Sequence, residues 1–295
     1  MKIDSTLIAD TFAEAFPMRF TRLIVTAYDQ HWLDAAVREF AGYSSSVIAC
    51  DLEIGVESWL TPEQTPDGRV GVSVMAFGFS VDALAKAIPN RVGQCLMTCP
   101  TTAVYDGLAG GDRRIPVGKH IRFFGDGYQK SKVVGGKRFW RIPVMDGEFL
   151  VQDTVGVAKG VAGGNIIIQA ESTVPVLAAA RRGVEAIGAI PGSITPFPGG
   201  VARSGSKVGS RYKKLKASTA DAYCPTLQGR VMSQLMQGTN AALEIVIDGE
   251  SEAAVAQAMT AAMQAAAGDG ILAIGAGNYG GKLGPFHFRL HELLK

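Results

Sequence analysis

The sequence predicts an α+β protein built from two similar ferredoxin-like α/β lobes with open-faced antiparallel sheets. Two observations carry this prediction. Each half of the 295-residue chain contains two successive units in which an apolar strand, a helix and a second strand follow one another. The second half also repeats a glycine-rich turn with a central lysine, first at Lys207 and again at Lys282. We expect the lobes to span residues 1–146 and 147–295.

The periodicity of the apolar residues locates the elements of the first half. The predicted strands lie at 23–26, 46–49, 70–75 and 94–97, and the predicted helices lie at 30–41 and 81–87. Ile24 and Val72 are as far apart in the chain as Val47 and Cys95 are, which indicates that one unit occurs twice.

The second half follows the same plan with small insertions. The predicted strands lie at 164–169, 192–195 and 243–247, and the predicted helices lie at 175–187 and 252–267. The last helix has the clearest ends, because Ser251 is a favourable N-cap residue and Gly268 is a favourable stop.

Composition and motif searches exclude several classes of function. A net charge of only +2 gives no reason to expect nucleic-acid binding. The chain shows neither a membrane-helix run nor the apolar core of a signal peptide, so we expect a cytoplasmic protein that does not bind membranes. The four cysteines form no C-x-x-C pair and are expected to be reduced thiols, not metal ligands. The nucleophile elbow and the Walker phosphate loop are also missing from the sequence, and no G-x-G-x-x-G lies between a predicted strand and a predicted helix.

Glu244 is the leading candidate for acid–base chemistry. It lies inside an apolar run at 241–247, where burial would raise the pKa of its carboxyl and let it exchange a proton near neutral pH. The alternative is an ordinary strand residue on a solvated face. Glu171, at the end of the equivalent strand, allows the same two interpretations.

Two asparagines and a basic stretch are weaker candidates. Asn165 and Asn278 each adjoin glycines, and either a turn or a ligand would account for them. Six basic residues lie between Arg203 and Lys216, which is consistent with a bound polyanion or with a solvated face.

Seven longer motifs carry a family resemblance. They lie at 10–16, 123–129, 160–165, 196–200, 206–210, 221–226 and 276–284. Together, in this order and over essentially the whole chain, they resemble formylmethanofuran:tetrahydromethanopterin formyltransferase.

The resemblance implies an enzyme that transfers a formyl group between the amine of a methanofuran-type carrier and N5 of tetrahydromethanopterin through a ternary complex. It implies these two co-substrates, no tightly bound cofactor, no metal and a homo-oligomer, which we expect to be a dimer of dimers. The family's catalytic glutamate matches Glu244. The residues expected to bind substrates are Lys207, Lys282, Asn165, Asn278, Gly163, Gly164, Gly199, Gly200, Tyr223, Arg211, Lys213 and Lys214.

The charge of the chain favours one branch of this family. A sequence pI of about 8.3 and the lysines near residue 213 resemble the version in methylotrophic bacteria, which acts in formaldehyde oxidation within a complex with a hydrolase. The alternative function is a non-catalytic subunit that binds the carrier within a formyltransferase/hydrolase complex. A generic ferredoxin-like binding module would be favoured only if the motifs were confined to one lobe.

Overall fold

The computed structural model describes residues 1–108 and 110–295. Within this part of the chain, the strands are β1 Lys2–Ile3, β2 Thr6–Ile8, β3 Phe12–Thr26, β4 Glu53–Leu60, β5 Gly71–Gly78, β6 Ala103–Asp106, β7 Arg113–Pro116, β8 Lys130–Val134, β9 Lys137–Val144, β10 Gly147–Gln152, β11 Thr154–Ala170, β12 Ser193–Ile194, β13 Ala241–Gly249, β14 Ile271–Gly275 and β15 Phe286–Arg289. The helices are α1 Gln30–Ala41, α2 Val81–Arg91, α3 Gly118–Ile121, α4 Thr173–Ile187, α5 Glu252–Ala266 and α6 Leu290–Leu293.

The chain divides into two compact units. The first unit combines the N-terminal segment Met1–Pro17 with the C-terminal part Gly160–Lys295, and the second unit is Met18–Lys159. The expected division between residues 146 and 147 stays a prediction. None of the helices in the described residues is long and apolar enough to cross a membrane.

The second unit has the ferredoxin-like topology that the sequence predicts. Its four core strands lie in the order β4, β5, β3, β6, and all three neighbouring pairs are antiparallel. The helices α1 and α2 connect these strands and bury an apolar stripe against them, which includes Leu33 and Phe40 of α1 and Leu84 and Ile88 of α2. The sheet continues from β6 through β10 and β9 to β8.

Two predicted strands of this unit are wrong. Residues 46–49 form a turn in which Ala49 N–H and Cys50 N–H donate to the carbonyl of Ser46, and the strand begins only at Glu53. Residues 94–96 belong to a π-helical extension of α2, Met97 caps it, and the strand follows at Ala103–Asp106. Both errors arise because a run of three apolar residues is too short to distinguish a strand from a helical turn.

The first unit contains the second ferredoxin-like arrangement. Its core strands lie in the order β14, β11, β13, β12 with antiparallel pairing throughout. The helices α4 and α5 cover the sheet and approach each other closely, because small residues face the contact. Gly183 of α4 is one of these, since an added Cβ there would lie 2.9 Å from Ile245 Cδ1 and 3.6 Å from the carbonyl oxygen of Ala262.

The ends of α5 agree with the sequence prediction. Ser251 Oγ accepts a hydrogen bond from Ala254 N–H at 3.1 Å, Glu252 complements the positive end of the helix, and Gly268 follows the C-cap with φ of +129°. The N-terminal segment adds to this sheet, because β2 pairs in parallel with β14, and β15 pairs with residues 12–15 of β3. Glu14 therefore belongs to the same unit as Glu244.

Candidate active site

Glu244 lies in the middle of the first unit's sheet, on β13. Its backbone is opposite Ile167 of β11, and on the other side it exchanges two hydrogen bonds with Ala202, at 2.8 and 3.3 Å. The loop that follows Ala202 then folds over the carboxyl group. As a result Glu244 is only 5% exposed, and the interpretation as a residue on a solvated face is wrong.

The Glu244 carboxyl has a single residue as its hydrogen-bond donor among the contacts that the structure shows. Ser206 N–H donates to Oε2 at 2.6 Å, and Ser206 Oγ–H donates to Oε1 at 2.8 Å. Burial raises the pKa of Glu244 above its usual range, and the two hydrogen bonds from Ser206 oppose that rise only in part. The carboxyl thus has the property that a general acid and base needs.

A small pocket opens beside Glu244. Its lining includes Arg203, Gly205, Tyr223, Cys224 and Glu244. Tyr223 is half-buried there, and burial together with the charge of Glu244 raises the pKa of Tyr223 to about 12. Tyr223 therefore stays protonated in the physiological range, and its hydroxyl donates to Gln234 Oε1.

Lys207, the central residue of the first glycine turn, forms an ion pair. Its Nζ lies 2.5 Å from Asp221 Oδ1, and this hydrogen bond lowers the pKa of Asp221. The chain then continues into a short hairpin, in which Gly209 N–H donates to the carbonyl of Lys216 at 2.8 Å. Arg211, Lys213 and Lys214 are exposed at the tip of this hairpin.

The second glycine turn, around Lys282, encloses a carboxylate of the protein itself. Glu14, which is 2% exposed, accepts backbone hydrogen bonds from Tyr279 at 2.8 Å, Gly281 at 3.1 Å, Gly284 at 2.9 Å and also Leu283. Burial opposes ionisation of Glu14, but the four N–H donors outweigh it and lower the pKa of the carboxyl. Glu14 therefore occupies the N–H groups of this turn, and substrate binding by Lys282 stays a prediction.

Both candidate asparagines bind the backbone. Asn165 Nδ2 donates to the carbonyls of Gly163 and Gly277, and its Oδ1 accepts from Gly277 N–H at 2.6 Å. Asn278 Nδ2 donates to Thr11 Oγ1 and to the carbonyl of Phe12. These contacts favour the turn interpretation, and substrate binding by either asparagine stays a prediction.

The candidate glycines have steric reasons for their identity. Gly163 lies at a bulge of β11 with φ of +92°, and a Cβ on Gly164 would lie 2.3 Å from Val255 Cγ1. Gly199 and Gly200 form a tight turn with φ of +62° and +78°, and a Cβ on Gly200 would lie 2.6 Å from Val184 Cγ2. Substrate contact by these four residues stays a prediction.

Sequence reasoning missed Glu14 and examined Glu171 instead. Glu171 is exposed and lies beyond the end of β11, whereas Glu244 is buried. A signal for Glu14 does exist, since it is a lone carboxylate in the apolar run 12–16, as Glu244 is in the run 241–247. The described residues contain no group of three or more His, Cys, Asp or Glu side chains arranged to hold a metal ion.

The fold and the site define a class of protein, a two-unit α+β enzyme with one buried carboxyl suited to proton transfer. Comparison with known proteins identifies the family. A sequence model described as formylmethanofuran-tetrahydromethanopterin formyltransferase matches residues 1–144, and one described as the proximal lobe of the same family matches residues 147–293.

Relatives agree over the full length. The formylmethanofuran–tetrahydromethanopterin formyltransferase of Methylococcus capsulatus is 54% identical, with 100% of both chains covered. The solved formyltransferase of Methanosarcina barkeri superposes with a TM-score of 0.95 at 41% identity and covers 100% of both chains. A chain of the formyltransferase/hydrolase complex of Methylorubrum extorquens, solved with methylofuran, gives a TM-score of 0.94 at 47% identity, with 98% of this chain and 96% of that chain covered.

The chain therefore belongs to the formylmethanofuran–tetrahydromethanopterin formyltransferase family, as the seven motifs predict. It is a formyltransferase with two ferredoxin-like units.

Proposed function

We propose that this chain transfers a formyl group between the amine of a methanofuran-type carrier and N5 of tetrahydromethanopterin, with Glu244 as the general acid and base. The observation that supports this role is the buried Glu244 carboxyl beside an open pocket, with a raised pKa and hydrogen bonds from Ser206 alone among the contacts shown. A group of this kind can accept and return a proton within one catalytic cycle.

The reaction needs one proton to move between two nitrogens. When N5 attacks the formyl carbon, a C–N bond forms and the carbonyl electron pair moves to oxygen, while the N5 proton passes to the Glu244 carboxylate. The carbonyl then re-forms and the bond to the carrier nitrogen breaks, and the protonated Glu244 returns the proton to that nitrogen. The reverse direction uses the same steps in the opposite order, so one carboxyl serves both directions.

Negative charge develops on the formyl oxygen in the intermediate and requires a donor nearby. Arg203 lines the pocket that Glu244 closes, and its guanidinium is always charged. We assign it the stabilisation of this charge, because the N–H groups of the Lys282 turn are occupied by Glu14.

The exposed basic hairpin is proposed to bind the carrier. Arg211, Lys213 and Lys214 are exposed on the loop that begins with the residues holding Glu244. A carrier with an acidic tail would be attracted to this tip. Exposed charges of this kind contribute modestly and are sensitive to salt.

The proposal also covers the partners of this chain, its oligomeric state and its location in the cell. The relative in Methylorubrum extorquens is a subunit of a formyltransferase/hydrolase complex, and we propose hydrolase partners for this chain as well. We also propose a homo-oligomer, with a dimer of dimers expected, in the cytoplasm. Sedimentation of the purified chain tests the oligomer, and a fully active species of 31.1 kDa would contradict it.

The deciding experiment is an assay of formyl transfer by the purified chain alone, with both co-substrates. We expect multiple turnovers. If the purified chain binds the carrier but shows no transfer, the alternative of a non-catalytic assembly subunit is correct.

A further inference from the structure

Glu14 is a buried charge that the proton transfer described above does not use. Its carboxylate is surrounded by the backbone N–H groups of Tyr279, Gly281, Leu283 and Gly284. A buried carboxylate in this setting is costly unless the donors are fixed, and buried N–H groups are equally costly unless an acceptor is present. Each therefore depends on the other.

Asn165 and Asn278 also hold the start of this turn, through Gly277 and through Thr11 and Phe12, and Glu14 adds four hydrogen bonds from Tyr279 onward. Gly280 and Gly281 adopt φ of +68° and +77°. Glycine populates positive and negative φ about equally, so these two residues do not by themselves fix the conformation of the turn. An acceptor that receives four N–H groups from one short turn specifies that conformation. The Glu14 carboxylate is this acceptor.

The same turn contacts the loop that holds Glu244. Tyr279 N–H donates to Glu14 Oε2 at 2.8 Å, and at the other end of this residue the hydroxyl accepts from Val208 N–H at 2.5 Å. The hydroxyl also lies 3.5 Å from the carbonyl oxygen of Ser206. Ser206 in turn provides both hydrogen bonds to the Glu244 carboxyl.

We propose that Glu14 is a positioning residue for Glu244: it fixes the turn at 277–284, Tyr279 transmits that position to the loop at 205–209, and Ser206 is thereby held on the Glu244 carboxyl. This proposal rests on the proposed function, in which Glu244 moves the proton. It assigns Glu14 and Tyr279 no contact with the reacting atoms.

The test is the pH dependence of kcat/KM for formyl transfer. The apparent pKa that disappears in Glu244→Gln is assigned to Glu244. Tyr223, Tyr279, Cys224 and Arg203 are titratable side chains near Glu244, so the assignment by substitution is required.

We expect Tyr279→Phe to shift this apparent pKa upward by about half a unit or more, because a loosened Ser206 stabilises the carboxylate less well. Ser206→Ala is expected to shift it in the same direction, and the double variant is expected to show less than the sum of the two shifts.

Glu14→Gln is expected to resemble Tyr279→Phe and to lower kcat at least about threefold. If Glu14→Gln does not fold, Glu14→Asp, which keeps the charge but shortens the side chain, serves for the same comparison.

Matched controls separate positioning from general effects. Tyr128→Phe and Glu185→Gln make the same chemical changes at exposed residues and should leave the pH profile unchanged. The proposal is overturned if Tyr279→Phe behaves as Tyr128→Phe does, or if the shifts of Tyr279→Phe and Ser206→Ala are fully additive.

Failure of this proposal is distinct from failure of the proposed function. If Glu244→Gln loses turnover while Tyr279→Phe and Glu14→Gln match their controls, only the positioning role is wrong. If Glu244→Gln keeps normal turnover, the assignment of Glu244 as acid and base is wrong, and the positioning role is overturned with it.

Discussion

The two glycine turns of the first unit each enclose a buried glutamate, and they have opposite effects on the pKa of its carboxyl. The turn at 277–284 presents four backbone N–H groups to Glu14, whereas the turn at 205–209 presents one N–H and one hydroxyl to Glu244. Burial raises the pKa of Glu244, while the donors around Glu14 overcome burial and lower its pKa. In Glu14 the four backbone donors outweigh the effect of burial on the pKa, whereas in Glu244 the two hydrogen bonds from Ser206 do not.

The difference in hydrogen bonding also assigns a structural role to Glu14 and a chemical role to Glu244. A fully satisfied carboxylate such as Glu14 has no capacity left for a substrate proton and stabilises the turn around it. Glu244 is held by one residue and faces a pocket, so it can change its protonation state without loss of the surrounding fold. Five experiments can break or sharpen this contrast.

The largest effect is expected for Glu244→Gln, which removes the exchangeable proton but keeps the size of the side chain. Turnover should fall by about 10²-fold or more, because general acid–base assistance typically contributes about 10²–10⁴ in rate. Steady-state assays with both co-substrates measure this. Glu171→Gln is the matched control at an exposed strand end, and an equal loss in both variants would contradict the assignment.

Glu14→Gln is expected to act first on stability. The amide presents an NH₂ group to backbone donors, so at least one N–H loses its acceptor, and the free energy of unfolding should fall by about 2–3 kcal/mol. Urea denaturation measures this change. Glu185→Gln on the surface of α4 should change the unfolding free energy by no more than about 0.5 kcal/mol. A Glu14→Gln protein as stable as wild type would show that the turn does not depend on the charge.

The two glutamates should give opposite pH dependence of stability. Glu14 has a folded-state pKa below its ordinary value of 4.5, so it stabilises the protein above that pH, and this contribution is lost as the pH falls through the folded-state pKa. Glu244 has a folded-state pKa above 4.5, so its favourable contribution is present below pH 4.5 and is lost as the pH rises through the folded-state pKa.

The melting temperatures of the two variants and wild type across pH test this difference. Relative to wild type, Glu14→Gln should be most destabilised near neutral pH and less so in acid. Glu244→Gln should gain relative stability as the pH rises above 4.5. If melting temperature depends on pH in the same way for all three proteins, the predicted difference between the pKa shifts of Glu14 and Glu244 is wrong.

The smallest effect is expected for the lysines of the basic hairpin that follows the turn at 205–209. The turn at 205–209 continues into the basic hairpin, and replacing Lys213, Lys214 and Lys216 by alanine should raise the KM for the carrier by about three- to tenfold at low salt. The kcat and the KM for the pterin should not change, since these lysines are exposed and lie outside the pocket. Kinetics at several ionic strengths measure both constants.

A matched control for this variant exists in the second unit. Lys130, Lys132 and Lys137 are equally exposed on the β8–β9 hairpin, and their replacement removes the same net charge. If both triple variants raise the carrier KM alike, the effect comes from net charge and not from the basic hairpin. If neither does, the hairpin lysines are a solvated face.

The sequence predicts much of the fold because several local signals are strong. The helix α1 has the predicted bounds, and α5 ends one residue early, since apolar periodicity and N-cap residues determine both. The strands predicted at 46–49 and 94–97 are wrong because the three apolar residues in each segment carry too little periodicity. The topology was still predictable, since it depends on the number and order of units more than on exact boundaries.

The site is predictable only in part, for a different physical reason. Glu244 stands out as a lone carboxylate in an apolar strand, but its donor Ser206 lies 38 positions away. The four donors to Glu14 lie 265 to 270 positions away, at the other end of the chain. Local patterns cannot reveal such pairings, because only the parallel and antiparallel contacts of the folded sheet bring these segments together.

The most direct test of the central claim is to titrate the two carboxyls themselves. Carbon-13 NMR of the protein labelled at the glutamate δ carbon reports the protonation of each side chain, and Glu14→Gln and Glu244→Gln assign the two resonances. We predict that Glu244 titrates above pH 4.5 and that Glu14 titrates below it. If Glu244 titrates at or below 4.5, or if both carboxyls titrate together, the account of the two turns is wrong.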